Sequence, residues 1–312
     1  MSRFWKKRRV LVTGGNGFVG SHMVARLRHI GARVKLPQSD LRNQRNAVRE
    51  VTGSEIVLHL AADVAGIQYN IHHPVEMFES NVLMAKNVLN AAHKSAVDRV
   101  LLVSSACVYP HNATVPTPES DGFIGDPEPT NLGYGWSKRV IELLGRFYAQ
   151  EYGMNIAIAR PFNTYGPRDN FGADTSHVIP GLIKRVLNHE DPLTVWGSGT
   201  QTRSFIYVED LARALLLHVE RHPFPDPINL GTEEEISMKA LAELIVKLSK
   251  KHTQIHCDSS KPDGQPRRKP DTKKAKKLIG FKATTSLETG LKKTIAWYKH
   301  HSSSLPETKR RA

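Results

Sequence analysis

The sequence predicts an α/β protein: a doubly wound parallel sheet with a smaller C-terminal lobe. Three observations predict it. Short apolar strands alternate with amphipathic helices from Arg9 to Ala159. A glycine-rich turn, Thr13-Gly14-Gly15-Asn16-Gly17-Phe18-Val19-Gly20, joins the first strand to the first helix. After Pro161 the alternation gives way to loops rich in Gly, Pro, Asn and Asp that run to residue 174. Strands alternating with helices bury their apolar faces as a parallel sheet covered on both sides.

Each element has its own signal. Arg9–Thr13 is an apolar run bounded by the turn, which suits a buried strand. Val19, Met23, Leu27 and Ile30 then recur at helical spacing, and Gly31 marks the stop. Residues 33–36, 55–60, 99–104 and 155–159 read as the next four strands. Residues 77–92 and 134–152 read as helices between them. In the second half, helices are expected over 180–188 and 210–220. Leu193–Trp196 is a short strand, and 227–230 is a late strand returning to the main sheet. Met238, Leu241, Ile245 and Leu248 mark a helix that Ser237 would cap, and Leu287, Leu291, Ile295 and Tyr298 mark the last one.

Bulk properties narrow the class. The 312 residues suffice for one large domain or two interleaved ones. No apolar run reaches the ~18 residues of a membrane span, and the basic stretch at residues 1–9 leads into a strand rather than a signal-peptide core. The two cysteines, Cys107 and Cys257, do not suggest a disulfide framework and fit a reducing cytoplasm. The net charge of +14 is concentrated in residues 3–9, 261–277 and 309–311, read as termini and one solvated loop, so nucleic-acid binding is not expected. The helices around 78–89 and 140–148 are apolar on more than one face, so either they are sandwiched in the core or one face meets a partner subunit, and a homodimer is the favoured expectation.

Gly14, Gly17 and Gly20 permit a tight turn and a close backbone approach to a pyrophosphate at the helix N-terminus. The strand before and the helix after supply the context of a Rossmann-like dinucleotide site. No acidic residue stands at the end of the second strand, where Lys35-Leu36-Pro37-Gln38 occurs instead. NADP is therefore favoured over NAD, with Lys35 or Arg42 as partners for the 2′-phosphate. Tyr134 and Lys138, four apart, share a helix face. An ammonium beside a phenol favours the phenolate, so Tyr134 can exchange a proton near neutral pH. Ser104-Ser105-Ala106-Cys107-Val108-Tyr109 follows the fourth strand, where doubly wound sheets place their chemistry. Cys107, two after Ser105, should point the same way from an extended strand.

These motifs resemble the extended short-chain dehydrogenases, a family of nucleotide-sugar epimerases, dehydratases and reductases. The resemblance covers nearly the whole chain. It implies a cofactor site at Gly14, Asn16, Gly17, Phe18, Val19, Gly20, Asp40, Leu41, Leu60, Ala61, Ala62, Tyr134, Lys138 and Pro161, with Asn81 among the family's markers. It implies that Ser105 binds the sugar oxygen, that Tyr134 donates or accepts its proton, and that Lys138 holds the nicotinamide ribose. Within the family, Ser176-His177-Val178-Ile179-Pro180, Val195-Trp196-Gly197-Ser198-Gly199 and the preceding Tyr165–Phe171 loop look like the GDP-L-fucose synthases. There a cysteine and a histidine are base and acid, which here implies Cys107 and His177. Asn163, Val178, Lys184, Trp196, Arg203 and Arg267 are then implied as substrate contacts, with Arg203 clamping a diphosphate.

The Ser-Ser-Ala-Cys order and Gln201-Thr202-Arg203-Ser204-Phe205 look instead like the GDP-mannose 3,5-epimerases, although those carry a lysine where His177 stands. The expectation is an NAD(P)-dependent epimerase acting at C3 and/or C5 of a 4-keto nucleotide hexose, GDP-linked in preference, with C4 reduction and no metal. A redox-neutral epimerase is the alternative. A non-catalytic dinucleotide sensor or RNA binder is the alternative from another class, and the Ser105, Tyr134 and Lys138 set argues against it. Residues 1–162 would form the dinucleotide domain, with 204–230 crossing back to it. Residues 163–203 and 231–312 would form the nucleotide-sugar lobe.

Overall fold

The computed structural model describes residues 3–64, 67–172, 176–261 and 263–304. The loop end at residue 174 and the basic cluster at 309–311 lie outside them. In chain order the elements are β1 (Arg9–Thr13), α1 (Phe18–His29), β2 (Arg33–Lys35), α2 (Gln44–Val51), β3 (Ile56–His59), α3 (Ile67–His72), α4 (Pro74–Lys94), β4 (Arg99–Val103), α5 (Leu132–Tyr152) and β5 (Asn155–Pro161). Then follow β6 (Thr164–Tyr165), α6 (Val178–Leu187), β7 (Leu193–Trp196), β8 (Thr202–Arg203), β9 (Ile206–Tyr207), α7 (Val208–Arg221), β10 (Ile228–Leu230), β11 (Ile236–Ser237), α8 (Met238–Ser249), β12 (Ile255–Asp258), β13 (Arg267–Arg268), α9 (Lys273–Ile279) and α10 (Leu287–His301).

The main sheet has the order β10-β5-β4-β3-β1-β2, and every pairing in it is parallel. The chain winds outward from β1 to β2, then returns across β1 to β3, so the direction reverses between β1 and β3. Ligands of such sheets bind beyond the carboxyl ends of the strands at that reversal. The period of two sorts the core. Val10, Val12, Ile56, Leu58, Leu101, Ala157 and Ala159 face the layer containing α1 and α7. Leu11, Val57, Val100, Leu102, Ile156 and Ile158 face the layer containing α2, α4 and α5. A separate apolar cluster joins α6, α8, α10, β7 and β12.

The stretch 261–277 is not simply a solvated loop. Lys273–Ile279 is a helix that buries Ala275 and Ile279. Two buried positions in seven residues suffice to dock it, and Lys274 pairs with Asp226 at its outer edge. No helix among the described residues is long and apolar enough to cross a membrane.

Candidate active site

The glycine turn leaves room for a dinucleotide. Gly14 sits at φ +68, and a Cβ there would stand 2.8 Å from the Ala61 nitrogen. A Cβ on Gly20 would collide with the Gly14 carbonyl. No side chain caps α1, so its first-turn amides stay open to an anion. Asn16 is exposed, and Phe18 and Val19 are half-buried. Thr13 Oγ1 accepts from Ala61 N at 3.0 Å and pairs with His59 Nδ1 at 2.8 Å, which fixes Leu60-Ala61-Ala62 beside the turn. Burial drives His59 down to about 3, so it is neutral. Asn81 clamps the Asp63 backbone in both directions, at 2.9 and 3.1 Å.

Past β2, the two cations expected to meet a 2′-phosphate are both engaged. Lys35 Nζ lies 3.3 Å from the Glu50 carboxylate, and Arg42 grips Asp40 at 2.8 Å. Leu41 is core, and its carbonyl accepts from Asn87. Glu50 is an acid the sequence pattern did not flag. Burial alone would raise it, but hydrogen bonds from Ser39, Gln38 and Lys35 hold it below the ordinary range.

Beyond β4 the geometry differs from the extended strand anticipated there. β4 ends at Val103, and residues 106–108 form a 3₁₀ turn. Ser105 caps it, its Oγ accepting from Cys107 N at 3.1 Å. Capping satisfies an otherwise free amide, which favours the turn over continued strand. Ser105 and Cys107 are thus neighbours in a turn rather than residues on one strand face. Lys138 is buried, donates from Nζ to the Val103 carbonyl at 2.9 Å, and lies 5.4 Å from the Tyr134 ring centroid. Burial pulls the ammonium down to about 8, opposed by Cys107 and Glu142. Tyr134 shifts upward, mainly by burial and then by Cys107, while the Ser105 hydroxyl opposes the rise. Burial thus works against the phenolate that the neighbouring lysine would favour, and a phenol that keeps its proton is suited to give it.

Behind this corner lies a buried polar network. Ser104 Oγ donates to Glu142 at 2.6 Å, and Arg160 donates to the same carboxylate at 2.8 and 2.7 Å. Arg160 also donates to the Tyr109 hydroxyl at 2.9 Å, which donates to Asn229 Oδ1 at 2.5 Å. The network ties the ends of β4, β5 and β10 to α5.

The remaining residues lie at the end of β5 and in the chain that follows it. His177 precedes α6, with its side chain 58% exposed, and lies 3.5 Å from the buried Asp169 carboxylate. That carboxylate raises the imidazole above its ordinary value. Val178 is exposed, and Lys184 and Pro161 are half-buried. Asn163 donates to the Ser204 carbonyl at 2.9 Å. Trp196 is exposed at the end of β7. Arg203 is half-buried and donates to the Gln265 carbonyl at 2.6 Å. Burial first, and then Arg268, brings it down to about 10. The two arginines are register partners on β8 and β13, a like-charged pair suited to an anion between them. Arg267 points elsewhere: its side chain is 53% exposed and pairs with Glu235 at 2.8 Å. Neighbours on a strand face opposite ways, so Arg268 is the one turned inward, its Nη2 3.8 Å from Cys107 Sγ.

Residues 10–231 match the NAD dependent epimerase/dehydratase family. The chain belongs to that family. It is 33% identical to a dTDP-4-dehydro-6-deoxy-D-allose reductase of Streptomyces sp, over 95% of this chain and 98% of that one. It is 34% identical to the GDP-L-fucose synthase of Escherichia coli (strain K12), over 94% and 97%. A GDP-L-fucose synthetase of Naegleria fowleri, solved bound to NADP, superposes with a TM-score of 0.87 at 29% identity, covering 97% of this chain and 96% of its own. As a member of the epimerase/dehydratase family the chain is an NAD(P)-dependent enzyme, and the glycine turn and uncapped α1 fit that cofactor. Reasoning from sequence missed Arg268, Asp169, Glu142 and Arg160. A usable signal existed for the last two: one charge stands in each of two otherwise apolar segments, Val140–Leu144 and Ile156–Pro161.

Proposed function

We propose that this enzyme epimerises a 4-keto nucleotide hexose at C3 and/or C5 and reduces C4 with NADPH. The observation that carries the reading is the convergence of Ser105, Cys107, Tyr134 and Lys138 beyond β4, next to the dinucleotide turn. The ketone acidifies the protons on C3 and C5. Cys107, whose Sγ lies 3.8 Å from Arg268 Nη2, removes one from one face. His177 returns a proton to the opposite face. Ser105 and Tyr134 hold the C4 oxygen, and Tyr134 gives it a proton as C4 is reduced. Bound NADPH supplies the hydride. Lys138 holds the nicotinamide ribose, Arg203 and Arg268 take the diphosphate, and Trp196 offers an exposed face to the nucleoside. Residues 1–162 with 204–230 carry the cofactor, and 163–203 with 231–312 carry the nucleotide sugar.

NADP is favoured over NAD because the sequence has no acid at the end of β2 and the Glu50 carboxylate that packs there is already taken up by Gln38, Ser39 and Lys35. Lys35 and Arg42 are engaged, and the exposed Arg49, whose present acceptors Ser39 and Asn46 are neutral, is a further cation for the 2′-phosphate. A homodimer through α4 and α5 is supported by Val75, Leu83, Phe147 and Tyr152, all exposed on those helices.

A second reading, reduction without epimerisation, is favoured by the reductase of Streptomyces sp, which matches as well as the fucose synthase does. The test is incubation in heavy water with GDP-4-keto-6-deoxymannose and dTDP-4-dehydro-6-deoxy-D-allose, with and without NADPH. Deuterium at C3 or C5 together with NADPH consumption is the expected result. Consumption without deuterium supports the pure reductase, and deuterium without consumption a redox-neutral epimerase. Neither event with either sugar overturns the assignment.

A further inference from the structure

The loop that carries Asp169 is built with unusual effort. Tyr165 anchors its start, its hydroxyl donating to the Leu287 carbonyl at 3.2 Å. His22 of α1 meets the Pro167 carbonyl at 2.8 Å. Phe171 anchors its end, stacked on Tyr298 of α10 with centroids 4.4 Å apart. Between these anchors Arg168 adopts φ +69. A left-handed conformation costs a non-glycine residue roughly 1–2 kcal/mol and persists only where its surroundings impose it.

This strained turn delivers the Asp169 carboxylate into a buried position. Oδ1 accepts from Asn170 N at 2.7 Å. Oδ2 is buried and has no hydrogen-bond partner among the described residues. A buried carboxylate with an idle oxygen is costly unless a positive charge stands opposite. His177 stands at the other oxygen of this carboxylate, its Nδ1 3.5 Å from Oδ1.

We infer that Asp169 is a positioning residue for His177: its carboxylate orients the imidazole and keeps it in the proton-donating form, so that His177 is the group that returns a proton in epimerisation. The last clause rests on the proposed function; the pairing itself does not. A purely local role is the competing explanation, since Asp169 also shapes its own turn through the Asn170 amide. Asp169→Asn separates the two, because an amide oxygen still accepts from Asn170 N while the charge is gone.

The experiment has two arms. First, the His177 ring is titrated by NMR in wild type, Asp169→Asn and Asp169→Glu, with its signal assigned by loss in His177→Asn. The expected result is a midpoint that falls in Asp169→Asn and returns toward wild type in Asp169→Glu. Second, deuterium exchange at C3 and C5 is followed against pH. An acid works only while protonated, so its activity is lost as pH rises through its midpoint. Asp169→Asn should therefore lose exchange at lower pH than wild type does. At neutral pH its exchange should fall about tenfold or more, part of the 10²–10⁴-fold a positioned acid contributes. Its NADPH affinity should not change. An unaltered midpoint in Asp169→Asn overturns the pairing. A shifted midpoint with unaltered exchange overturns the role in proton return. Absence of exchange in wild type overturns the proposed function and leaves the titration to decide the pairing.

Discussion

The two corners of the candidate site are built differently. Tyr134 and Lys138 stand on a long helix packed against the sheet, and Ser105 and Cys107 on a turn capped from within. Behind them the Glu142–Arg160 pair is almost wholly shielded, at 0% and 1% exposure. His177 is more than half exposed, sits at a helix start after a loop, and has one buried partner. The first corner is fixed by the architecture that makes the sheet. The second depends on a single turn and its anchors. Reduction would use the first corner alone, and epimerisation needs both. Relatives named as a reductase and as a fucose synthase match this chain to the same degree along nearly its whole length.

The largest effect should come from undermining the sheet corner. Glu142→Ala leaves Arg160 buried without its counter-charge, and chemical denaturation should show a loss of about 3–5 kcal/mol. Next, Tyr134→Phe should cut C4 reduction roughly 100-fold and exchange at C3 and C5 less, because Ser105 still holds the C4 oxygen while the proton donor for reduction is gone. Equal loss of both activities would mean that the corners do not divide the chemistry as described. On the lobe side, Arg203→Ala should raise KM for the nucleotide sugar about tenfold, because a charge-assisted contact to phosphate is lost. Arg267→Ala should leave KM unchanged, since that guanidinium is turned toward Glu235. A KM rise in Arg267→Ala would show that β13 turns over on binding.

A last variant tests what the rigid corner costs. Lys138 has a folded value of about 8 against an ordinary 10.5. A lowered lysine is penalised wherever the unfolded chain keeps its proton. The penalty is therefore full below pH 8 and is relieved as pH rises from about 8 to 10.5. Lys138→Met should stabilise the cofactor-free protein at pH 7 by about 1–3 kcal/mol, and thermal melts should show that advantage shrinking above pH 8.

The alternation of strands and helices was legible because period 2 and period 3.6 are written in apolar residues, and β1 and α8 with its Ser237 cap were found where the pattern put them. The short polar helices were not. In α2, Gln44–Val51, Asn43 supplies the cap, Ala47 and Val51 enter the apolar core and Val48 packs against it, but eight mostly polar residues are too short a stretch to stand out. α9 hid inside a lysine run for the same reason. In the site, residues whose chemistry needs a type and a spacing, such as Tyr134 and Lys138, could be named in advance. Asp169 and Arg268 could not, because their meaning comes from partners 8 and 161 positions away. The choice of Arg267 over Arg268 turned on strand parity, and two residues of strand show no parity in sequence.

β10 has a consequence for how the chain is made. It closes the main sheet by pairing with β5, yet it lies after the segment that begins the second lobe. During synthesis the dinucleotide turn, Cys107, Tyr134 and Lys138 all leave the ribosome while β5 is still an open edge. Such an edge invites pairing with another chain until it is covered. Residue 230 must therefore emerge before the nascent protein is safe from its neighbours, and a fragment ending near residue 203 should aggregate although every sheet-corner residue named above is present.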